Sequence, residues 1–217
     1  MVARAIPDAW HFSQPHLVLR ARTEAADAVL QRLLGEMVDS EELREAASLA
    51  REAVNACHPA GRALFASYLA LPWPEKPHMV LWHAATLLRE YRGDGHVAAL
   101  LTAGIDGCEA HVVMAASGKV GRETIQPHRG WTDQEWEAAR QRLQQRGWLD
   151  SDGALNAEGH AAREAIEDQT NRLALAPWQH LGFERTNRLL KLVRPLSGRI
   201  IEQGGIPVPN PMGVPWP

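Results

Sequence analysis

Cysteine is scarce in this chain of 217 residues, and long apolar runs are missing. Cys57 and Cys108 stand far apart and form no CxxC pair, which favours two small core residues in a reducing compartment over a disulfide. No stretch approaches the roughly 20 apolar residues that a membrane helix needs, and the N-terminus has no signal-peptide core. The sequence therefore predicts a soluble, cytoplasmic protein without a membrane segment.

A surplus of basic residues is also missing, since 23 lysines and arginines stand against 26 aspartates and glutamates, for a net charge of -3. Domains that bind nucleic acid through phosphate contacts usually carry a basic excess. The amino-acid composition therefore disfavours nucleic-acid binding.

Sequence motifs for the common cofactors are absent as well. The histidines show no HxxxH or HExxH spacing, and there is no glycine-rich phosphate loop. No Ser-His-Asp set can be justified from spacing. We therefore expect neither a metal ion nor an organic cofactor.

The sequence does contain a series of helical patterns interrupted by glycine and proline. Thr23, Ser40, Asp106 and Thr132 each precede an apolar periodic segment and are predicted N-caps. Thr132 begins the sequence Thr-Asp-Gln-Glu, which is the pattern of a capping box.

A proline-rich connector at 72–77 marks the predicted boundary between two regions. Residues 1–77 form an N-terminal helical region, and residues 78–203 form the second region. The tail at 204–217 is rich in proline and glycine, and its apolar residues predict that it packs on the core.

The second region has the order helix, helix, helix, hairpin, helix, which is the plan of a winged helix-turn-helix domain. The hairpin is predicted around Asp152-Gly153. Asp150 and Asp152 lie at this wing, which has no basic residue, and the helix before it balances acids against arginines. Because carboxylates at the wing would repel phosphates, the charges disfavour DNA binding.

One polar stretch lies between two apolar helical patterns: Arg92-Gly93-Asp94-Gly95-His96. Its two glycines predict a turn between helices, and we expect this turn to form the floor of a small-molecule site. A second glycine-bracketed polar set surrounds Asp133. Ordinary structural roles remain open, because both aspartates could serve only as helix caps and Arg92 could serve only a helix dipole.

The first twenty residues hold much apolar surface for a free terminus. Helical spacing begins at Val2, and Trp10, Phe12 and the run Leu17–Leu19 follow. Because a contiguous exposed apolar patch usually marks an interaction site, we expect another protein to cover this edge.

Four motifs, taken in order, resemble an actinobacterial family of MarR-like helix-turn-helix proteins. They are Leu81-Trp82-His83-Ala84, Arg92–His96, Gly130–Trp136 and Pro209–Gly213. The resemblance covers nearly the whole chain. It implies a mainly α fold, with an N-terminal helical region followed by a winged helix-turn-helix region and one short β-hairpin, and it does not establish regulation.

Typical members of that family carry a further helical segment before the one that starts here at Val2. The departure implies a heterodimer in which a second small protein supplies the segment. Among split systems, the arrangement is similar to the two-subunit aziridine-forming enzymes of azinomycin-type antibiotic biosynthesis. That similarity implies a small-molecule substrate, either free or attached to an acidic carrier protein.

The chemistry implied by this similarity is ring closure, in which an amine displaces a neighbouring sulfate ester. It requires a base for the ammonium proton and donors for the departing anion, but no cofactor. The alternatives are a MarR-like regulator or ligand sensor, and a protein that only binds a metabolite. The candidate catalytic residues are Asp94, Asp133 and His96, and the candidates for substrate or anion binding are Arg92, Arg129, His83, Trp82 and Trp131.

Overall fold

The computed structural model describes residues 9–207, 210, 212 and 213, with side chains from residue 11 onward. The helical spacing predicted from Val2, the side chain of Trp10, and Pro209 and Pro211 of the fourth motif lie outside these residues. The described part is mainly α-helical and contains no β-strand. The helices are α1 (Ala9–Phe12), α2 (Pro15–Leu34), α3 (Glu41–Val54), α4 (Ala63–Leu69), α5 (Pro77–Thr102), α6 (Gly107–Ala116), α7 (Arg122–Arg129), α8 (Asp133–Gln145), α9 (Ala157–Leu173) and α10 (Ala176–Glu202), with a short 3-10 helix at Gly35–Asp39.

Three of the four predicted N-caps are confirmed, whereas the prediction for Thr23 is wrong because this residue lies inside α2. Ser40 Oγ accepts the backbone N–H of Leu43 at 3.2 Å and so caps α3. Asp106 and Thr132 cap α6 and α8 in full capping boxes, in which a glutamate three residues later bonds back to the N-cap N–H.

The predicted turn at Arg92–His96 is wrong, because α5 continues without interruption from Pro77 to Thr102. Neither Gly93 nor Gly95 has a positive φ. Gly95 instead permits a close approach between helices, since a Cβ there would lie 3.0 Å from Arg62 Nη1 and 3.2 Å from Leu173 Cβ. The glycine therefore serves packing inside a helix rather than chain reversal.

Arg62 and Asp94 fasten α4, α5 and α9 together at this point. The Arg62 guanidinium donates to the backbone oxygens of Tyr91 and Leu173, the latter at 2.7 Å, and lies 3.7 Å from the centre of the Tyr91 ring. The Asp94 carboxylate accepts the backbone N–H of Phe65 at 2.9 Å, so a residue of α5 caps the first turn of α4.

Two hydrophobic clusters meet along α5. Leu87 belongs to a cluster formed mainly by α3, α5 and α10, whereas Ala99 belongs to a cluster formed mainly by α6, α8 and the segment between α8 and α9. The predicted division of the chain at residue 77 stays a prediction, because α5, which begins there, contributes to both clusters.

Helices α7 and α8 are joined by a tight turn, in which Gly130 has a left-handed φ of 71°. The predicted hairpin after α8 is not confirmed, since the only β-pairing among the described residues is a single antiparallel bridge between Leu149 and Leu155. The apolar runs on either side are short, and Asn156 already caps α9, so the chain has no room for a longer ladder.

Part of the tail packs against α6. Asn210 is buried, and a Cβ at Gly213 would lie 2.8 Å from Val120 Cγ2 and 3.3 Å from Met114 Cε. No single described helix is both long and apolar enough to cross a membrane; α5 and α6 pass that test only as a pair, bent by 95°.

Two glycine substitutions test whether Arg92–His96 is helical. We expect Gly93→Ala to raise the free energy of unfolding by up to about 1 kcal/mol, because alanine favours a helix and its Cβ would meet only Glu90 Oε2, at 3.6 Å. We expect Gly95→Val to lower it by roughly 1–3 kcal/mol, because the side chain must displace Arg62 and Leu173. Urea unfolding measures both free energies. If Gly93→Ala destabilised the protein and Gly95→Val had no effect, the result would contradict the helix and support the predicted turn.

Candidate functional site

A cavity of about 540 Å³ lies between α5, α6 and α9, beside the C-terminal end of α7, the segment that follows α6 and the described end of the tail. We call it the cationic cavity, because five lysine and arginine side chains but a single carboxylate line it. Its ionisable lining consists of Arg89, Arg92, His96, His111, Lys119, Arg129, Arg163 and Glu167.

The structure brings together three of the residues predicted to form a site: Arg92, His96 and Arg129. Arg92 Nη2 donates to Glu167 Oε2 at 3.1 Å and to Asn171 Oδ1 at 3.2 Å, so its charge is largely compensated.

Three other cations of the cavity carry uncompensated charge. Lys119, Arg129 and Arg163 have neither an ion pair nor a side-chain hydrogen bond with any described residue. Unpaired guanidinium and ammonium groups around one cavity favour an anionic ligand, since each can supply a charge-assisted hydrogen bond.

His96 is half-buried, and its tautomer is set by Thr170. The Thr170 hydroxyl donates to the backbone oxygen of Ile166 at 2.8 Å, so its oxygen is free to accept from His96 Nδ1 at 2.9 Å. The lone pair of the ring is then on Nε2. Burial lowers the pKa of His96, and Arg92 lowers it further against the opposing effect of Glu167, so the ring is neutral at pH 7.

His111 carries the opposite tautomer. The indole N–H of Trp131 can only donate, and it lies 3.0 Å from His111 Nδ1, which must therefore accept. The ring proton is then on Nε2. Burial and, to a smaller extent, Arg129 lower the pKa of His111 against the opposing effect of a backbone hydrogen bond with Gly107, so this ring is also neutral at pH 7. One cavity thus holds an imidazole with a free lone pair on Nε2 and another whose proton is on Nε2.

The two aspartates predicted as bases do not line the cationic cavity. Asp94 is engaged with the N-terminus of α4, as described above. The Asp133 side chain is 90% exposed and accepts hydrogen bonds from Arg122 at 2.7 Å and Gln126 at 2.9 Å. The hydrogen bond from Gln126 is the largest cause that lowers the pKa of Asp133, and Arg122 lowers it further.

The remaining predicted residues are divided between two places. Trp131 contacts the cationic cavity through His111, whereas Trp82 and His83 line a different cavity near the N-terminal half of α5. Among the described residues, no group of three or more His, Cys, Asp or Glu side chains is placed to hold a metal ion.

Sequence reasoning missed Arg89, His111 and Lys119 as cavity residues, and it also missed Arg163 and Glu167. Their spacing of four places them on one face of α9, which is a visible signal. That this face packs toward α5 depends on long-range contacts, which the pattern does not contain.

Comparison with known proteins adds one finding. The sequence model of a helix-turn-helix family matches residues 1–207. The chain belongs to this helix-turn-helix family. No curated protein and no solved structure shows a significant similarity to it.

The tautomer of His111 can be tested by removing its donor. A hydrogen bond to Nδ1 stabilises the neutral ring, so we expect Trp131→Phe to raise the pKa of His111 toward the ordinary value of about 6.5. The pKa of His96, which has no contact with Trp131, should stay unchanged and serves as the internal control. NMR titration of the imidazole Cε1–H signals measures both; an unchanged His111 pKa would show that the indole does not fix the ring.

Proposed function

We propose that this helix-turn-helix protein binds a small anionic metabolite in the cationic cavity and acts on it as an enzyme without a cofactor. The observation that carries the proposal is the pair of neutral imidazoles in opposite tautomers, His96 and His111, among unpaired cations. A base with a free lone pair and an N–H donor are the two groups that proton transfer requires.

The ligand class follows from charge and size. Lys119, Arg129 and Arg163 converge on the cavity without acidic partners, which favours a sulfate, phosphate or carboxylate group. A volume of about 540 Å³ also exceeds what one inorganic anion would fill. We therefore infer an anionic group attached to a larger organic body.

The reaction we propose is the displacement of a sulfate ester by a neighbouring amine, giving an aziridine. The C–N bond forms as the C–O bond to sulfate breaks, and sulfate leaves with the electron pair. In this scheme His96 Nε2 takes the proton of the amine, and Arg129 and Lys119 receive the sulfate. The support is the composition of the cavity together with the sequence resemblance to the aziridine-forming systems.

The base roles predicted for Asp94 and Asp133 have less support than that of His96. Each carboxylate is already engaged, one at the start of α4 and the other with Arg122 and Gln126. Both roles stay predictions, and the composition of the cavity favours His96 or Glu167.

We also propose a second small protein as a partner along α1 and α2. Phe12 is 87% exposed and Val18 is 47% exposed, and Leu17 and Leu19 lie on the same outward stretch. Apolar surface of this extent favours a protein interface.

A ligand-sensing regulator of the MarR-like winged-helix type is the alternative function. Membership of the helix-turn-helix family favours it. Asp133 and Glu135 occupy the first turn of α8, the part that reads base edges in such domains, and they would face phosphates unfavourably. The arginines of α8 are already paired, Arg140 with Glu137 and Arg142 with Asp106.

Anion binding can be tested with inorganic sulfate by isothermal titration calorimetry. We expect Arg129→Gln to weaken sulfate binding roughly tenfold or more, because a charge-assisted hydrogen bond is lost. Arg172→Gln is the matched control, since Arg172 is exposed on α9, bonds only to Gln169 and lies outside the cavity lining. An equal loss of sulfate affinity in the two variants would show that only the net charge of the protein matters, which would contradict the proposed site.

Turnover and DNA binding separate the two functions. We expect release of inorganic sulfate from O-sulfated vicinal amino alcohols, and we expect His96→Gln to lower the rate at least 100-fold while sulfate affinity changes little. Ion chromatography measures the release. A protein that releases no sulfate but shifts duplex DNA at physiological salt, with the shift reversed by an anionic metabolite, would be a regulator instead.

A further inference from the structure

A second cavity, of about 390 Å³, lies between α2, the connector at 71–74 and the first half of α5. We call it the indole cavity, because Trp73 and Trp82 both line it. Its walls are mainly apolar, in contrast to those of the cationic cavity, and the proposed reaction does not account for it.

His83 has an unsatisfied polar atom at this cavity. Its side chain is 3% exposed, and its buried Nε2 has no hydrogen-bond partner among the described residues. The Trp73 ring lies against the imidazole edge to face, with 4.8 Å between centres and 84° between planes. Because an unpaired buried polar atom is costly, a ligand group that bonds to Nε2 would recover that cost.

Arg22 supplies an uncompensated charge at the same cavity. Its guanidinium lies 4.3 Å from the centre of the Trp82 ring and 5.1 Å from that of Tyr68, and no described residue forms an ion pair or hydrogen bond with it. Burial is the larger cause that lowers the pKa of His83, and the charge of Arg22 is the second. The effect of Arg22 indicates that the two side chains are near each other.

The wall formed by α2 is fixed in place. Asp27 of α2 accepts from Lys76 at 2.5 Å and lies 2.6 Å from His78 Nε2, at the start of α5. The hydrogen bonds from Lys76, Gln31 and His78 hold the pKa of Asp27 well below its usual range. The cavity is therefore built between anchored elements.

We propose that the indole cavity is a second binding site, for an aromatic carboxylate. The aromatic ring packs against Trp73 and Trp82, the carboxylate binds Arg22, and one of its oxygens accepts a hydrogen bond from His83 Nε2. Apolar walls disfavour a small hydrated anion, and the unpaired guanidinium disfavours a neutral or cationic ligand, so ring and carboxylate are both required.

The test uses 2-naphthoate as the probe, with 2-naphthamide and acetate as matched compounds lacking the charge or the ring. In calorimetry with the full chain we expect 2-naphthoate to bind at one site, at least tenfold more tightly than either comparison compound. Arg22→Gln should weaken binding about tenfold, and Arg44→Gln, at an exposed position on α3, should not change it.

Two further measurements assign the site. Arg129→Gln should leave the affinity for 2-naphthoate unchanged, because Arg129 belongs to the cationic cavity. In the unsubstituted protein, 2-naphthoate should raise the NMR pKa of His83, since a nearby carboxylate favours the charged ring. Absence of binding, equal affinity in Arg22→Gln, or loss of binding in Arg129→Gln would each overturn the proposal, and none of these results bears on sulfate release.

Discussion

The arrangement of the cationic cavity depends on the contact that Arg62 makes between helices. Its guanidinium donates to backbone oxygens of α5 and α9, and Gly95 leaves the space for it between them. His96 follows Gly95 directly, and Thr170 lies one turn before Leu173, whose oxygen Arg62 holds. The half-buried Arg62 therefore holds α5 and α9 at the distance at which His96 can bond to Thr170. That bond in turn determines the tautomer of the imidazole.

Features decided within a few residues could be predicted from the sequence. Ser40, Asp106 and Thr132 were predicted as N-caps correctly, because a cap joins a side chain to an N–H only three residues later. Gly93 and Gly95 were misread as a turn. Glycine marks a close approach as readily as a chain reversal, and only the position of Arg62 in space distinguishes the two.

The candidate site shows the same limit. Arg92, His96 and Arg129 were predicted together, and they line one cavity because α5, α7 and α9 meet there. Asp94 and Asp133 were predicted from the same local patterns, yet their carboxylates are engaged elsewhere. Residue type and neighbouring glycines identify polar groups of interest, whereas the partner that each group finds is set by helix packing.

Burial would couple the binding of an anion to the protonation of two histidines. Burial lowers the pKa of both His83 and His96; Arg22 adds to this effect at His83, whereas at His96 the effect of Glu167 opposes it and that of Arg92 adds to it. An anion bound beside either ring would offset the repulsion from the arginine and raise the pKa of the ring, so by linkage anion binding would strengthen as the pH falls toward the lowered pKa of that ring. At pH 7 the neutral His96 keeps its Nε2 lone pair available while the surrounding cations attract the anion. A cavity of cations alone would bind the anion but could not take up a proton, and this difference separates a candidate catalyst from a simple anion receptor.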